Sequence, residues 1–132
     1  ERLRNDGESV ELLLVERVPN AQAIELYRSA DVIFDQCTMG NYGYFALEGM
    51  ALGKPVMCFI RHPDRYLLHP DECPILRTHV STLLEDIRGV IRRRDELPEI
   101  GRQSRKYIER YFTPAVFAKR LRIAYQRLGV PA

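Results

Sequence analysis

Residues 26–56, LYRSADVIFDQCTMGNYGYFALEGMALGKPV, contain the alternation of segments that decides the fold. Residues 31–37 are rich in β-branched and apolar side chains, which predicts a strand. Residues 38–43 predict a loop, because two glycines and an asparagine cluster there. Residues 44–52 then predict a helix that ends at Gly53, since helices commonly end at a glycine.

The same alternation extends beyond this stretch on both sides. Residues 10–15 (VELLLV) are a short apolar run that predicts a buried strand, and Asn20 predicts the N-cap of a helix over 21–30. After Pro55, which blocks a helix, the run VMCFI at 56–60 predicts a third strand. Apolar strands that alternate with helices are typical of a parallel sheet with helices on both faces. We therefore predict an α/β fold of the Rossmann-like type.

The remainder of the chain predicts one long irregular segment followed by three helices. Residues 61–80 contain three prolines and predict a loop, and a loop of that length in a compact domain is often functional. Ser81, Asp95 and Thr113 predict the N-caps of the three helices, with Pro114 at the first position of the last one. The side chains expected to face inward from these helices are Leu84, Ile87, Ile91, Ile100, Tyr107, Tyr111, Phe117, Leu121, Ala124 and Leu128.

Length and composition indicate one folded domain. The 132 residues are 45% hydrophobic and 29% charged, which excludes a disordered chain and suffices for one core. We expect a single domain over 1–132, with an α/β part over 10–80 and a helical part over 81–129. No stretch approaches the roughly 18 apolar residues of a membrane-spanning helix, so we expect a cytoplasmic protein. The three cysteines form no CxxC pair, which predicts free thiols and no metal site.

The net charge of +2 hides an asymmetry along the chain. From Arg88 onward there are twelve basic and four acidic residues, whereas the preceding part has eight basic and fourteen acidic ones. Basic surfaces attract nucleic acids, anionic membranes and phosphorylated ligands. Arg92, Arg93 and Arg94 are consecutive, however, so they fan around their helix at about 100° per residue. We expect no nucleic-acid partner and membrane contact that is at most peripheral, with the apolar stripe of the last helix packed onto the domain.

The loops that follow the first two predicted strands are the candidate ligand site. Ligands of open parallel sheets bind beyond the carboxyl ends of the strands, where loops lead into helix N-termini. Residues 17–20 and 38–43 are such loops. Glycines in the second loop let a ligand approach the backbone, and the free N–H groups of the next helix favour an anion such as a diphosphate. Glu48, just over one turn into that helix, offers a carboxylate to a diol.

Residues 26–56 also carry a resemblance to a known family. They resemble the donor-binding half of the retaining glycosyltransferases of GT-B fold (glycosyl transferases group 1, family 4-like), whose members show LYxxADV, a loop, and then ExFGxxxxEAMAxGxPV. Tyr42, Gly43 and Tyr44 fall on a Phe-Gly-Leu segment of the family. The residues that match are Leu26, Tyr27, Ala30, Asp31, Val32, Gly43, Glu48, Met50, Ala51, Gly53, Pro55 and Val56. Gly49 stands where the family usually has alanine. The segment GRQSRKYIERYF at 101–112 is similar to a later segment of the family, so the resemblance covers residues 12–129.

The resemblance implies a UDP- or GDP-sugar donor and transfer of a hexosyl group to an acceptor hydroxyl with retained configuration. It implies no cofactor and no metal, and it assigns Glu48 to the ribose hydroxyls. The donor-binding set that it implies is Val18, Gly40, Asn41, Tyr42, Gly43, Tyr44, Phe45 and Glu48. Family members place the active site between two domains. We therefore expect an amino-terminal domain upstream of Glu1, and the catalytic residues and the acceptor stay unassigned.

One departure from the family pattern leaves alternatives open. The first of the family's two glutamates, which usually contacts the transferred sugar, falls on Gly40. Three alternatives stay open. Asn41, Asp35 or Gln36 contacts the sugar instead, the chain belongs to a subgroup with a glycine-aromatic-glycine loop, or the domain has kept the fold and lost transfer. A non-catalytic flavodoxin-like or receiver-type module is the alternative from another class. A receiver needs a phosphoacceptor at a strand end, and Asp35 is its one candidate.

Overall fold

The computed structural model describes residues 1–129 and has the predicted α/β fold. Its sheet has three parallel strands, β1 (Ile33–Gln36), β2 (Val56–Cys58) and β3 (Leu76–Arg77), in the order β1–β2–β3. The α-helices of the described chain are α1 (Arg2–Asn5), α2 (Asn20–Ser29), α3 (Tyr44–Ala51), α4 (Pro63–Tyr66), α5 (Leu83–Arg92), α6 (Leu97–Tyr111) and α7 (Pro114–Arg127). The prediction of a Rossmann-like sheet followed by three helices is confirmed.

Helix α3 lies directly on β1 and β2 and forms the centre of the core. Its buried face consists of Ala46, Gly49 and Met50. A Cβ atom at Gly49 would lie 3.0 Å from Ile33 Cγ1 and 3.2 Å from Val56 Cγ2, closer than ordinary contact distance. Glycine in place of the family's usual alanine therefore lets α3 approach the sheet.

Helix α6 packs against α3 through an even closer backbone contact. A Cβ atom at Gly101 would lie 2.0 Å from the carbonyl oxygen of Gly53, the left-handed residue just beyond α3. Further along α6, Tyr107 and Tyr111 are buried in the core cluster, as the sequence predicts. The contact between the two glycines thus fixes how α6 sits against the end of α3.

The prediction of a strand over residues 10–15 is wrong. This segment is not in the sheet, and Leu12 and Leu14 are 77% and 69% exposed. A strand needs a neighbouring strand to accept its backbone hydrogen bonds, and within residues 1–129 β1 is an edge strand that pairs with β2 alone. The free edge of β1 is thus available, and the apolar run nevertheless lies outside the sheet although its composition favours a strand.

Residues 61–80 contain more structure than the predicted loop. Helix α4 begins at Pro63, and the two residues of β3 pair with Met57 and Cys58 of β2. Elements of four and two residues are too short to show a period in the sequence. The three prolines therefore predicted a loop throughout. The segment crosses from β2 to the other edge of the sheet.

Three of the predicted N-caps are wrong and one is confirmed. Helix α2 already includes Asn20, α5 starts after Thr82 and not after Ser81, and Asp95 lies in a 3-10 turn ahead of α6. None of these three helices has a side-chain cap. The hydroxyl of Thr113, by contrast, accepts a hydrogen bond from Val116 N at 3.3 Å at the start of α7. Alternative partners explain one miss, because the hydroxyl of Ser81 bonds to His79 Nδ1 at 2.7 Å and that of Thr82 donates to Asp86 at 2.7 Å.

The predicted stripe of α7 does not pack onto the domain. Phe117 and Leu128 are 65% and 75% exposed, and α7 has no buried residue. The expected inward face is wrong because an apolar stripe specifies that a helix needs a partner but not where that partner lies.

Within residues 1–129 no helix is long and apolar enough to cross a membrane.

The glycine contact between α3 and α6 yields a test of the packing. Gly101→Ala should lower the free energy of unfolding by about 1–3 kcal/mol, because the new methyl group forces the two helices apart. Gly89→Ala is the matched control: Gly89 lies within α5, and a Cβ there would meet no atom within 4 Å. That substitution should raise stability by about 0.5–1 kcal/mol through helix propensity. Urea denaturation measures the free energy of unfolding of both variants. Equal values for the two variants would contradict the described contact.

Candidate functional site

A bulge at the carboxyl end of β1 turns Asp35 toward the following loop. Phe34 pairs with Met57 and Gln36 with Cys58, so Asp35 is an extra residue in the ladder. Bulges redirect a side chain in this way. One carboxylate oxygen of Asp35 accepts hydrogen bonds from Gly43 N at 3.0 Å and from Cys58 Sγ at 3.4 Å. Asp35 thereby ties the end of the loop to β2.

The side chain of Gln36 shapes the rest of the loop over residues 38–43. Its amide oxygen accepts hydrogen bonds from Thr38 N at 2.8 Å and Met39 N at 2.7 Å. Its amide nitrogen donates to the carbonyl oxygens of Asn41 and Phe59, both at 2.8 Å. The loop is therefore held by polar contacts from the strand end.

Gly40 occupies a position in this loop where no other residue fits without movement. Its φ of +85° is in the left-handed region that favours glycine, and it is buried. A Cβ there would lie 2.9 Å from Arg61 Cβ and 3.2 Å from Arg61 Nε. Arg61 N also donates a hydrogen bond to Gly40 O at 3.0 Å. The glutamate that the family usually has at this position is sterically incompatible with this loop.

Arg61 is a candidate site residue that the sequence analysis missed. It follows the third apolar run at the carboxyl end of β2, and its side chain lies over Gly40. Arg61 is exposed, and no carboxylate within residues 1–129 forms an ion pair with it. Its place after a buried strand was the available signal, because ligands gather at that edge of the sheet.

The amino terminus of α3 opens at the end of the loop. Gly43 is its N-cap residue and supplies no side-chain cap. Within residues 1–129 the backbone N–H groups of Tyr44, Phe45 and Ala46 have no hydrogen-bond acceptor. Unpaired N–H groups at the start of a helix, together with the helix dipole, attract an anion.

Two of the predicted site residues use their side chains for packing. The ring of Tyr42 lies edge-on to Phe112 with centroids 6.4 Å apart, and that of Phe45 lies 4.9 Å from Tyr27. Burial raises the pKa of the Tyr42 phenol, Cys73 adds to the rise, and Arg120 opposes it. Phe45 therefore offers a ligand its backbone N–H, whereas Tyr42 N already donates to Asn41 Oδ1 at 2.9 Å.

Glu48 and Tyr44 share the exposed face of α3. They are four positions apart, a spacing that places side chains on one side of a helix. Tyr44 is 85% exposed, and Glu48 is exposed as well. No hydrogen bond or ion pair holds the Glu48 carboxylate within the described chain, whereas its neighbours on the buried face pack on the sheet. Its carboxylate is available to a ligand next to the amino terminus of α3.

Some of the remaining predicted site residues already use their side chains in hydrogen bonds, and others do not. Asp35 and Gln36 are both engaged in holding the loop, which weighs against a role as replacement sugar contacts. The side-chain nitrogen of Asn41 has no partner within residues 1–129, so of these three residues it keeps a free polar group. Val18 is half-buried ahead of α2 and lies outside the core cluster and the hydrogen bonds of the loop.

Cys58 lies beneath the loop but is not a nucleophile at neutral pH. Burial, together with the charge and hydrogen bond of Asp35, raises the pKa of its thiol to about 12. The thiolate is the reactive form, so Cys58 packs as a small buried side chain. Within residues 1–129 no group of three or more histidine, cysteine or acidic side chains is arranged to hold a metal ion.

Comparison with known proteins finds no matching family model, no matching curated protein and no matching solved structure. The features that bear on function are therefore the loop, the start of α3 and the two exposed charges beside them, Glu48 and Arg61.

The contact between Gly40 and Arg61 gives a test of the loop conformation. Gly40→Ala should destabilise the fold by two effects, a left-handed alanine at about 1–2 kcal/mol and crowding against Arg61 at about 1–3 kcal/mol. Gly7→Ala is the matched control, because Gly7 has a φ of +84° and a Cβ there would meet no atom within 4 Å. It should show the first effect alone. Chemical denaturation measures the difference, and equal losses for the two variants would contradict the loop described here.

Proposed function

We propose that the chain binds a nucleoside-diphosphate sugar and forms the donor side of a retaining glycosyltransferase of GT-B fold. The observation that carries the proposal is the uncapped amino terminus of α3, with Glu48 exposed on the same helix and Arg61 beside the preceding loop. The resemblance of residues 26–56 to that family supports the same assignment. The diphosphate and the ribose of the donor each have a chemically suitable partner.

The diphosphate is the part that the start of α3 would hold. Two unpaired N–H groups, from Tyr44 and Phe45, offer hydrogen bonds to phosphate oxygens at the start of the helix. Arg61 adds a positive charge next to Gly40, in the loop that leads into the helix. Charge-assisted hydrogen bonds to phosphate are among the stronger ones in proteins, and arginine forms them in pairs.

The ribose is the part that Glu48 would hold. Glu48 is four residues beyond Tyr44, about 6 Å along the helix axis. A carboxylate has two oxygens that accept hydrogen bonds, which suits the two neighbouring hydroxyls of a ribose. Because the ribose and the diphosphate are joined through one methylene group, adjacent sites on one helix match the connectivity of the ligand.

The transfer step would depend on stabilising the departing nucleotide. The bond between the anomeric carbon and the β-phosphate oxygen breaks, and a bond from the acceptor oxygen to that carbon forms with the same configuration. The acceptor hydroxyl passes its proton to the departing β-phosphate oxygen, on which negative charge develops as its bond to the anomeric carbon breaks. Donors that are already oriented toward the diphosphate, at the start of α3 and on Arg61, lower the barrier as that charge develops. We propose that the acceptor and the remaining catalytic groups are bound by a second domain.

The receiver-type alternative is disfavoured by the environment of Asp35. A phosphoacceptor carboxylate must be open to its phosphodonor, whereas Asp35 accepts hydrogen bonds from Gly43 N and Cys58 Sγ. A domain that has kept donor binding and lost transfer remains a form of the same proposal, because it would use the same groups on α3.

Glu48→Ala provides the direct test of donor binding. The substitution should weaken the affinity for a UDP- or GDP-sugar by on the order of 1.5–3 kcal/mol, the usual cost of a lost charged hydrogen bond. Glu25→Ala on α2 is the control, because Glu25 is an exposed helical glutamate whose one ion pair, with Arg28, is a surface pair at 3.6 Å. Titration calorimetry with both variants gives the result. Unchanged affinity of the folded Glu48→Ala protein would remove Glu48 from the site.

A further inference from the structure

The sugar of the proposed donor would lie beyond the start of α3, over the preceding loop. Glu48, the proposed ribose contact, is one turn into α3, and the proposed diphosphate contacts Tyr44 and Phe45 are at its start. In such a donor the sugar is joined to the β-phosphate, at the end of the diphosphate that is remote from the ribose. A donor that runs along α3 in this order therefore carries its sugar past the N-cap Gly43 to residues 38–41.

Arg61 is the charged side chain next to that part of the loop. Its Cβ and Nε lie 2.9 Å and 3.2 Å from the point that a Cβ atom at Gly40 would occupy. The hydrogen bond from Arg61 N to Gly40 O, at 3.0 Å, fixes its backbone there. No carboxylate within residues 1–129 forms an ion pair with it. The space that Gly40 leaves is thus filled by a positive charge without a counterpart in the described chain.

The ring of His79 lies close to the same loop. Val80 N donates a hydrogen bond to Cys37 O at 3.1 Å, which brings the residues after β3 to the beginning of the loop. The ring of Phe59 contacts both sides, since its centroid is 4.7 Å from that of His79 and its Cε1 atom is 3.6 Å from the Cβ point at Gly40. His79 is therefore a second basic side chain at this edge of the sheet.

The free polar groups around this part of the loop are hydrogen-bond donors. His79 Nδ1 accepts a hydrogen bond from Ser81 N at 3.2 Å, so the proton of the neutral ring is on Nε2, and a protonated ring also donates there. Asn41 Oδ1 accepts from Tyr42 N at 2.9 Å, which leaves the Asn41 side-chain nitrogen as its free group. Together with the guanidinium of Arg61, three side chains offer donors.

The acidic side chains at this edge of the sheet are already engaged. Asp35 holds the end of the loop and the thiol of β2, and Asp86 accepts hydrogen bonds from two threonine hydroxyls at 2.8 Å and 2.7 Å. A sugar hydroxyl both donates and accepts a hydrogen bond, whereas an ionised carboxylate only accepts. A ligand group that carries negative charge and only accepts hydrogen bonds is the best match to these donors.

We propose that the transferred sugar is a uronic acid whose carboxylate is bound by Arg61, with His79 and Asn41 as further donors. The proposal rests on the proposed donor binding at α3. Arginine binds a carboxylate through two parallel hydrogen bonds, and its five N–H groups allow it to contact the β-phosphate as well. A neutral hexose would leave the charge of Arg61 without this partner.

The experiment compares the affinities of two matched pairs of ligands by titration calorimetry, UDP-glucuronic acid with UDP-glucose and GDP-mannuronic acid with GDP-mannose. Each pair differs only in a carboxylate in place of a hydroxymethyl group. At least one acidic ligand should bind about tenfold or more tightly than its neutral partner, the effect of one charged hydrogen bond. Equal affinities, or tighter binding of the neutral ligands, would overturn the proposal and leave donor binding intact. Absence of binding by all four ligands would overturn both.

Substitution of Arg61 tests the assigned contact. Arg61→Gln should remove most of the preference for the acidic ligand, and Arg61→Lys should keep part of it, because lysine retains the charge without the planar guanidinium. Arg65→Gln is the matched control: Arg65 is exposed in α4, with its guanidinium 5.7 Å from the centre of the Tyr66 ring, and the preference should stay nearly unchanged.

Two outcomes with these variants would contradict the proposal. If Arg61→Gln weakens binding of the acidic and the neutral ligand by the same factor, Arg61 contacts the diphosphate alone. If Arg61→Gln and Arg65→Gln reduce the preference equally, with circular dichroism showing both folded, the preference comes from general charge and not from a bound carboxylate.

Discussion

Hydrogen bonds from two consecutive side chains at the end of β1 determine the loop on which the candidate site depends. Asp35, turned by the bulge, holds the backbone of Gly43, while Gln36 satisfies both N–H and carbonyl groups of residues 38–41. Unpaired backbone polar groups are costly where they are buried, as at Gly40, whose carbonyl oxygen accepts a hydrogen bond from Arg61 N. The same constraint brings Gly40 against Arg61, so one set of polar contacts fixes both the start of α3 and the position of the cation beside it.

Close backbone approaches then fix the position of α3. Gly49 lets the helix lie on Ile33 and Val56, and the contact of Gly53 with Gly101 holds its far end against α6. A helix that is fixed at both ends directs its free N–H groups to one place, and such fixed donors bind an anion without the cost of ordering a loop. The packing of the small core residues therefore sets the geometry of the candidate site and of its charged residues.

The sequence predicts the features that depend on local order. The alternation of strands and helices and the cap at Thr113 depend on neighbouring residues, and both are present in the structure. The features that it misses depend on residues far apart in the chain. The apolar run around Leu12 does not pair with the free edge of β1, the stripe around Leu121 is not covered by the domain, and Arg61 meets the loop only once β1 and β2 are side by side. In the candidate site, the position of Glu48 on its helix was predictable from the sequence. The hydrogen bonds that Asp35 accepts depend on the bulge in β1.

The measurement that tests this account most directly is a nuclear magnetic resonance titration of the backbone amides with UDP-glucose and GDP-mannose. A weakly bound ligand still shifts the amide signals that it contacts, so the method locates the site without requiring turnover. The account predicts that at least one of the two ligands shifts the amides of Tyr44 and Phe45 most strongly, followed by those near Glu48. Saturable shifts confined to other parts of the chain, or no shifts with either ligand, would contradict donor binding at the start of α3.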